Sequence, residues 1–196
     1  MDATEKLQGL LDRAGMLVVS DALALGVSAP TVYAFARRHG LQRVVKGVYA
    51  SDDAWIDDMH VLALRSGKVV FSHESALLLH DLTDREPTAL TVTVPAGYNA
   101  STLAADGVKV HYIRPDLHDT GKVPMRSPEG NDIPCYDLER TMCDIIRSRS
   151  RIEGQIFTAA LQGYVRRPDK RLDVLDVYAT KLGIGGVVTN YLEVLL

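Results

Sequence analysis

The chain has 196 residues, of which 46% are apolar and 24% are charged, and its formal net charge at pH 7 is −3. These values are ordinary for a soluble globular protein of one or two domains. The sequence has no run of 18 apolar residues and no basic, apolar leader at its amino terminus, so we expect a cytoplasmic protein without a membrane partner. Cys135 and Cys143 stand eight residues apart, a spacing that favours two reduced thiols over a metal site.

The first fifty residues predict three helices joined by short turns. Apolar residues recur at spacings of three and four, and small polar residues stand where each helix would begin. The predicted helices cover residues 4–14, 21–25 and 29–39, with Thr4, Ser20 and Ser28 as their respective caps. Glycines follow the second and third helices and are expected to end them.

The third helix divides into two faces. Val32, Phe35 and Ala36 share an apolar face that should pack on the first two helices. The other face carries hydrogen-bonding groups and positive charge. This division is typical of a recognition helix, because one face holds the domain together while the other enters the major groove of DNA.

A short basic hairpin is predicted over residues 41–50, with its turn at Lys46 and Gly47. Residues 31–49 contain four arginines and lysines and no acid. We therefore predict DNA binding by Ser28, Thr31, Tyr33, Arg37, Arg38, Arg43, Lys46 and Tyr49. The alternative is a three-helix bundle whose hairpin contacts protein.

The composition changes at Ser51, where we place a domain boundary. Residues 1–50 carry a net charge of +2, from six basic and four acidic residues, and residues 51–100 carry −5, from three and eight. Residues 51–196 predict a mixed sheet with helices and then a helical group broken at Pro168 and at 183–186. The predicted elements are helices 53–66, 75–82 and 137–148, and strands 68–71, 89–95, 108–114, 122–125 and 132–136. The fold class is α+β: an N-terminal winged helix-turn-helix followed by a mixed α/β domain.

Two groups of polar residues in the second domain invite a catalytic or metal-binding interpretation. His73 and His80 stand seven residues apart, so on one helix they would lie about 10 Å apart, too far for one zinc ion. Arg140 and Asp144 stand four apart and should meet on a helix surface, with Asp137 as its cap. We favour structural roles for both groups and expect no catalytic residue, metal or cofactor.

A second basic segment surrounds Pro168. It contains Arg166, Arg167, Lys170 and Arg171. A solvated turn is the simpler interpretation, and a second contact with nucleic acid is the alternative.

Four motifs in chain order resemble the AbiEi family, the antitoxins of type IV AbiE toxin–antitoxin systems. They are the hairpin Arg43-Val-Val-Lys-Gly-Val-Tyr49, Ser72-His-Glu-Ser-Ala-Leu77 with His80-Asp-Leu82, Thr91-Val-Thr-Val-Pro95, and Tyr136-Asp-Leu-Glu-Arg-Thr-Met-Cys-Asp144. The last is similar to the family's ERTxxD helix. The resemblance spans about residues 7–192.

The resemblance implies a DNA-binding antitoxin that represses its own operon, often at repeated promoter sites, and counteracts a nucleotidyltransferase-like toxin. A direct complex with the toxin is not implied. Two alternatives stay open: a metal-dependent nuclease or nucleotide-modifying enzyme guided by the winged helix, and a repressor without a toxin partner. The absence of a convergent acid–lysine or His–Cys constellation in the sequence favours the non-enzymatic interpretation.

Overall fold

The fold combines α-helices and β-sheets in two compact units. In a computed structural model that describes residues 2–195, the units are Met1–Gly67 and Lys68–Leu196. Within the described range, no helix is long and apolar enough to cross a membrane.

The first unit contains three helices, a small sheet and a further helix. In chain order the elements are α1 (Ala3–Ala14), β1 (Met16–Val18), α2 (Val19–Ala24), α3 (Ala29–Arg38), β2 (Gln42–Val45), β3 (Val48–Ala50) and α4 (Asp58–Arg65). The sheet is antiparallel in the order β1-β3-β2. The three predicted helices and the hairpin are confirmed. Strand β1 was not predicted, because three apolar residues in a row carry no periodicity.

The starts of α1 and α2 differ from the prediction. Asp2 caps α1, and Thr4 does not, since the Asp2 carboxylate accepts the backbone N–H groups of Thr4 and the following residue. Ser20 does not cap α2 either. That helix begins at Val19, whose N–H donates to the carbonyl of Gly47 at 2.8 Å. The hairpin turn therefore supplies the hydrogen bond that a capping side chain would otherwise make.

The first unit extends past the expected boundary at Ser51 to Gly67. Helix α4 begins five residues later than its predicted start at 53, where Asp57 accepts the N–H of His60 at 2.9 Å. Val61 on α4 belongs to an apolar cluster whose other buried members lie on β1 and β3. Its other buried members are Met16, Val18, Val48 and Ala50. A hydrophobic side chain of this helix is thus part of the core of the first unit.

The second unit contains a five-stranded mixed sheet with helices. In chain order its elements are β4 (Val70–Phe71), α5 (His73–Leu79), β5 (Thr91–Pro95), α6 (Ser101–Ala105), β6 (Lys109–Ile113), β7 (Lys122–Arg126), β8 (Asp132–Tyr136), α7 (Leu138–Arg147), α8 (Gly154–Arg166), α9 (Leu172–Lys181) and α10 (Gly185–Leu195). The strand order is β6-β5-β4-β8-β7. The pairs β5–β6 and β4–β8 are parallel, and β4–β5 and β7–β8 are antiparallel.

Helix α7 occupies the interior of the second unit. Every residue from Leu138 to Ile146 is buried, and α5, α8, α9 and α10 pack against the helix. The predicted cap is confirmed, because Asp137 accepts the N–H of Arg140 at 2.9 Å. Polar residues of α7 are therefore held inside the protein, where each needs a partner.

Candidate nucleic-acid interface

The two predicted faces of α3 are confirmed. Val32, Phe35 and Ala36 are buried, and Val32 and Phe35 belong to the core that α1 and α2 share. The opposite face is open to solvent, and its residues are Thr31, Tyr33, Ala34, Arg37 and Arg38. Helix α3 therefore presents hydroxyl and guanidinium groups outward from a fixed apolar base.

Ser28 begins α3 as predicted. Its Oγ accepts the N–H of Thr31 at 3.4 Å and lies 2.8 Å from the hydroxyl of the same threonine. Pro30 occupies the first turn, where a missing N–H costs nothing. The remaining N–H groups at this end, together with the helix dipole, favour a negatively charged ligand such as a phosphate.

The hairpin β2–β3 turns at Lys46 and Gly47. Gly47 has φ of +82°, a conformation that glycine adopts without strain. Arg43 and Lys46 are exposed, and Arg43 Nε donates to the carbonyl of Val45 at 3.4 Å. The register of β2 shifts between Arg43 and Val45, which twists the strand at this point.

Two tyrosines connect the outer face of α3 to the hairpin. The rings of Tyr33 and Tyr49 lie 6.1 Å apart between centroids, at an interplanar angle of 57°. Tyr33 is 44% exposed and Tyr49 is half-buried. The contact brings the outer face of α3 against β3, and all eight predicted residues belong to the first unit.

The cations of this surface have no ion-pair partner among the described residues. Within the part of the chain that the structure describes, no carboxylate forms an ion pair with Arg37, Arg38, Arg43 or Lys46. Since residues 31–49 contain no acid, their positive charge is available to an external anion.

The second basic segment is mostly engaged inside its own unit. Arg167 holds Asp169 through two hydrogen bonds, of 2.7 and 2.8 Å, and donates a third to the carbonyl of His80. Lys170 Nζ donates to the carbonyl of Arg167 at 3.2 Å. Arg166 is exposed and has no ion pair with the described residues.

Arg171 ties α9 to the start of α7. Its guanidinium donates to Glu139 Oε2 at 2.5 Å and to Asp137 Oδ2 at 3.3 Å. Its backbone N–H donates to the other oxygen of Glu139, and Tyr178 donates to Asp137 at 3.1 Å. Three of the four predicted cations therefore have structural partners. The carboxylate partner of Arg167 and the carbonyl partner of Lys170 lie within three residues of them, whereas Glu139 and Asp137 are 32 and 34 residues from Arg171.

Arg140 is completely buried and serves as a hub of the second unit. Its Nε lies 3.2 Å from Asp144 Oδ2, and its Nη1 donates to the carbonyls of Leu117 and Thr120 at 2.9 and 2.7 Å. The guanidinium stacks 4.0 Å from the centroid of the Tyr136 ring. The predicted meeting of Arg140 and Asp144 is confirmed, but it lies in the interior and not on a helix surface. Burial raises the pKa of Asp144, and the neighbouring Arg140 opposes that rise.

The histidines of the second motif have separate structural partners. The Nδ1 and Nε2 of His73 lie 3.0 Å from the hydroxyls of Ser72 and Ser148, and its ring stacks on His111 at 3.6 Å. His80 Nε2 donates to the carbonyl of Tyr136 at 2.8 Å. Ser72 precedes α5 and makes no side-chain capping hydrogen bond to it. Among residues 2–195, no three histidines, cysteines or carboxylates are grouped so that they could hold a metal ion.

Both cysteines are buried with free thiols. Burial raises the pKa of the Cys143 thiol to about 12 and raises that of Cys135 as well. Neither sulfur is prepared to act as a nucleophile, since reactivity requires the thiolate.

The comparisons with known proteins identify a fold and no family. No protein-family model and no curated protein matches the chain. Among solved structures, it is similar to the RV2827C protein from Mycobacterium tuberculosis, with a TM-score of 0.58 and 16% identity over 91% of this chain and 71% of that chain. A likeness at this identity shows a shared fold alone.

Proposed function

We propose that the first unit is a winged helix-turn-helix domain that binds duplex DNA. In this proposal α2 and α3 form the helix-turn-helix, and the hairpin β2–β3 is the wing. The observation that carries the proposal is that α3 and the hairpin, which are joined by the contact between Tyr33 and Tyr49, expose four cations, with no acid anywhere in residues 31–49. A helix with such a face suits the major groove, and the adjacent hairpin suits the flanking phosphates.

The residues of this surface divide into two roles. Thr31 and Tyr33 lie in the first half of α3, the part of a recognition helix that contacts base edges. Arg37 and Arg38 lie in its last turn and reach either a guanine or the backbone. Lys46, at the hairpin turn, is a point charge suited to a phosphate.

The second part of the proposal is that the protein represses its own operon as the antitoxin of a type IV toxin–antitoxin system. Its support is the resemblance to AbiEi antitoxins in four motifs. The ERTxxD residues Glu139, Arg140 and Asp144 all make internal ion pairs, which suits a framework role. The functional partner would be a nucleotidyltransferase-like toxin, and the proposal does not require the two proteins to form a complex.

A reporter assay and a growth assay test the two parts separately. The upstream region of the gene, fused to a reporter, should be repressed by the wild-type chain and released by an Arg37→Ala, Arg38→Ala variant. Expression of a neighbouring nucleotidyltransferase gene should arrest growth, and the wild-type chain should relieve the arrest. Unchanged reporter output with the wild-type chain would contradict the repressor. Growth arrest that the chain cannot relieve would contradict the antitoxin.

A further inference from the structure

Ion pairs divide the ten arginines of the second unit into two groups. Six of them pair with a carboxylate: Arg85, Arg114, Arg126, Arg140, Arg167 and Arg171. The other four have no ion pair with the described residues: Arg147, Arg149, Arg151 and Arg166. The unpaired arginines are therefore not scattered, because all four lie between the end of α7 and the end of α8.

The first three form an arginine segment, residues 147–151, in which arginines alternate with serines. Arg147 is in the last turn of α7, and Arg149 and Arg151 belong to the 3-10 turn that follows. All three are exposed. Residues 145–167 contain five arginines and one acid, Glu153, in a chain whose net charge is −3. Glu153 is itself paired with Arg85 at 2.8 Å, so the segment keeps its charge.

A cavity of about 230 Å³ lies beside this segment. Three cations and three acids line it: Arg85, Lys109 and Arg151, and Glu74, Glu86 and Glu153. Arg85 and Lys109 are each neutralised by a carboxylate, and for Lys109 that carboxylate is Glu74 at 3.1 Å. Among these cations, Arg151 is the one that forms no ion pair with a described carboxylate, and Glu86 is the acid of the lining that forms none with a described cation.

The pKa of His111 is affected by the same cations. Its pKa is lowered to about 4, first by burial and then by the positive charges of Lys109, Arg151 and Arg147, while Glu74 opposes the shift. Arg147 and Arg151 therefore both contribute positive potential at one imidazole, that of His111 in the middle of β6.

Arg149 is held in a fixed orientation. Its guanidinium lies 4.5 Å from the centroid of the Phe157 ring, and Phe157 is buried. Stacking covers one face of the guanidinium and leaves the N–H groups at its edge for a ligand. Ser148 is fixed as well, since its hydroxyl lies 3.0 Å from His73 Nε2.

From these observations we propose that Arg147, Arg149 and Arg151 bind the phosphodiester backbone of a nucleic acid. The planar fork of a guanidinium matches two phosphate oxygens. The neighbours Ile152 and Phe157 are buried and Ile156 is partly buried, so the exposed side chains of residues 147–151 are the three arginines and a serine, which suit a polyanion. The contact is independent of the first unit and does not rest on DNA binding by α3.

The test is fluorescence anisotropy of the full chain with labelled probes over a series of salt concentrations. The probes are single-stranded RNA, single-stranded DNA and a random duplex, each about 20 nucleotides long. The test variant replaces the three arginines by glutamine: Arg147→Gln, Arg149→Gln, Arg151→Gln. The matched control removes three other surface cations of the same unit: Arg114→Gln, Arg126→Gln, Lys181→Gln. Both are also made with Arg37→Ala and Arg38→Ala, so that a failure of the first unit is seen separately.

We expect the test variant to bind at least one probe about tenfold more weakly at low salt, with a salt slope reduced by about 2 for a single strand or about 2.7 for a duplex. Which probe loses affinity identifies the nucleic acid. A variant with only Arg147→Gln and Arg151→Gln keeps the stack of Arg149 on Phe157. Its salt slope should be reduced by about two thirds of the reduction expected for the triple variant. Equal affinities of the test and control variants for every nucleic-acid probe would overturn the proposal. It would also be overturned if the test variant lost binding to a polyglutamate peptide as strongly as to nucleic acid, because that would indicate an acidic protein partner.

Discussion

Removing the charge of Asp144 should destabilise the second unit strongly. Arg140 and Asp144 are both buried, and their side chains are 0% and 4% exposed. Asp144→Ala leaves a guanidinium inside the protein without its counter-ion, which costs about 3–5 kcal/mol of unfolding free energy. The two carbonyl acceptors of Arg140, on Leu117 and Thr120, remain and keep the loss from being larger.

The measurement is urea unfolding followed by circular dichroism, because the single tryptophan, Trp55, lies in the first unit. The matched control is Asp116→Ala, which breaks a pair with Arg114 whose side chains are 59% and 71% exposed. An exposed pair of this kind contributes at most about 1 kcal/mol. A loss below about 1 kcal/mol for Asp144→Ala would refute the reasoning that the ERTxxD residues hold the second unit together.

Three further predictions concern the interface and the pH dependence. Arg37→Ala should weaken binding to the operator by about 1–3 kcal/mol if the side chain reads a guanine, while the exposed Arg13→Ala should not, as a titration of both variants would show. Lys46→Ala should weaken binding equally on all sequences and lower the salt slope by about one unit, and a sequence-selective loss would show that the hairpin reads bases. The pKa values of His73 and His111 are lowered in the folded protein, so unfolding below pH 6.5 takes up protons. The unfolding free energy should therefore fall as the pH drops from about 6.5 towards 4. The decrease should be at most about 1.4 kcal/mol per pH unit for each histidine. Replacing His111 by Phe should flatten this dependence, and an equal slope in both proteins would contradict it.

The parts of the interface that depend on local chemistry could be predicted from the sequence. Helical periodicity separates Val32 and Phe35 from the exposed side of α3, and Gly47 provides the positive φ of the hairpin turn. These features depend on a few neighbouring residues. The contact between Tyr33 and Tyr49 joins two elements, and periodicity alone does not specify such a distance.

Several contacts in the second unit join residues that are distant in the sequence, and local patterns do not predict them. The spacing of Arg140 and Asp144 predicts their ion pair, yet nothing local indicates that residues 117–121 close over it. Gly121 permits that approach, because a Cβ there would lie 2.6 Å from the Cβ of Arg140. Arg171 likewise donates a hydrogen bond to Glu139, which is 32 residues away in the sequence and is brought near only by the fold.

The arginine segment also has a sequence pattern that distinguishes it from residues 166–171. Arg147, Arg149 and Arg151 alternate with serines and have no acid among them, whereas Asp169 lies within the other segment. The two basic segments therefore differ in their acids: Asp169 pairs with Arg167 at 2.7 Å, and residues 147–151 contain no acid.

To measure whether α3 and the hairpin bind a specific DNA, the full chain is titrated against the duplex upstream of its own gene and against a scrambled duplex of equal length, at several salt concentrations. We expect tight, salt-sensitive binding that prefers the upstream duplex, with the preference lost in the Arg37→Ala, Arg38→Ala variant. Weak and equal binding of the wild-type chain to both duplexes would contradict it.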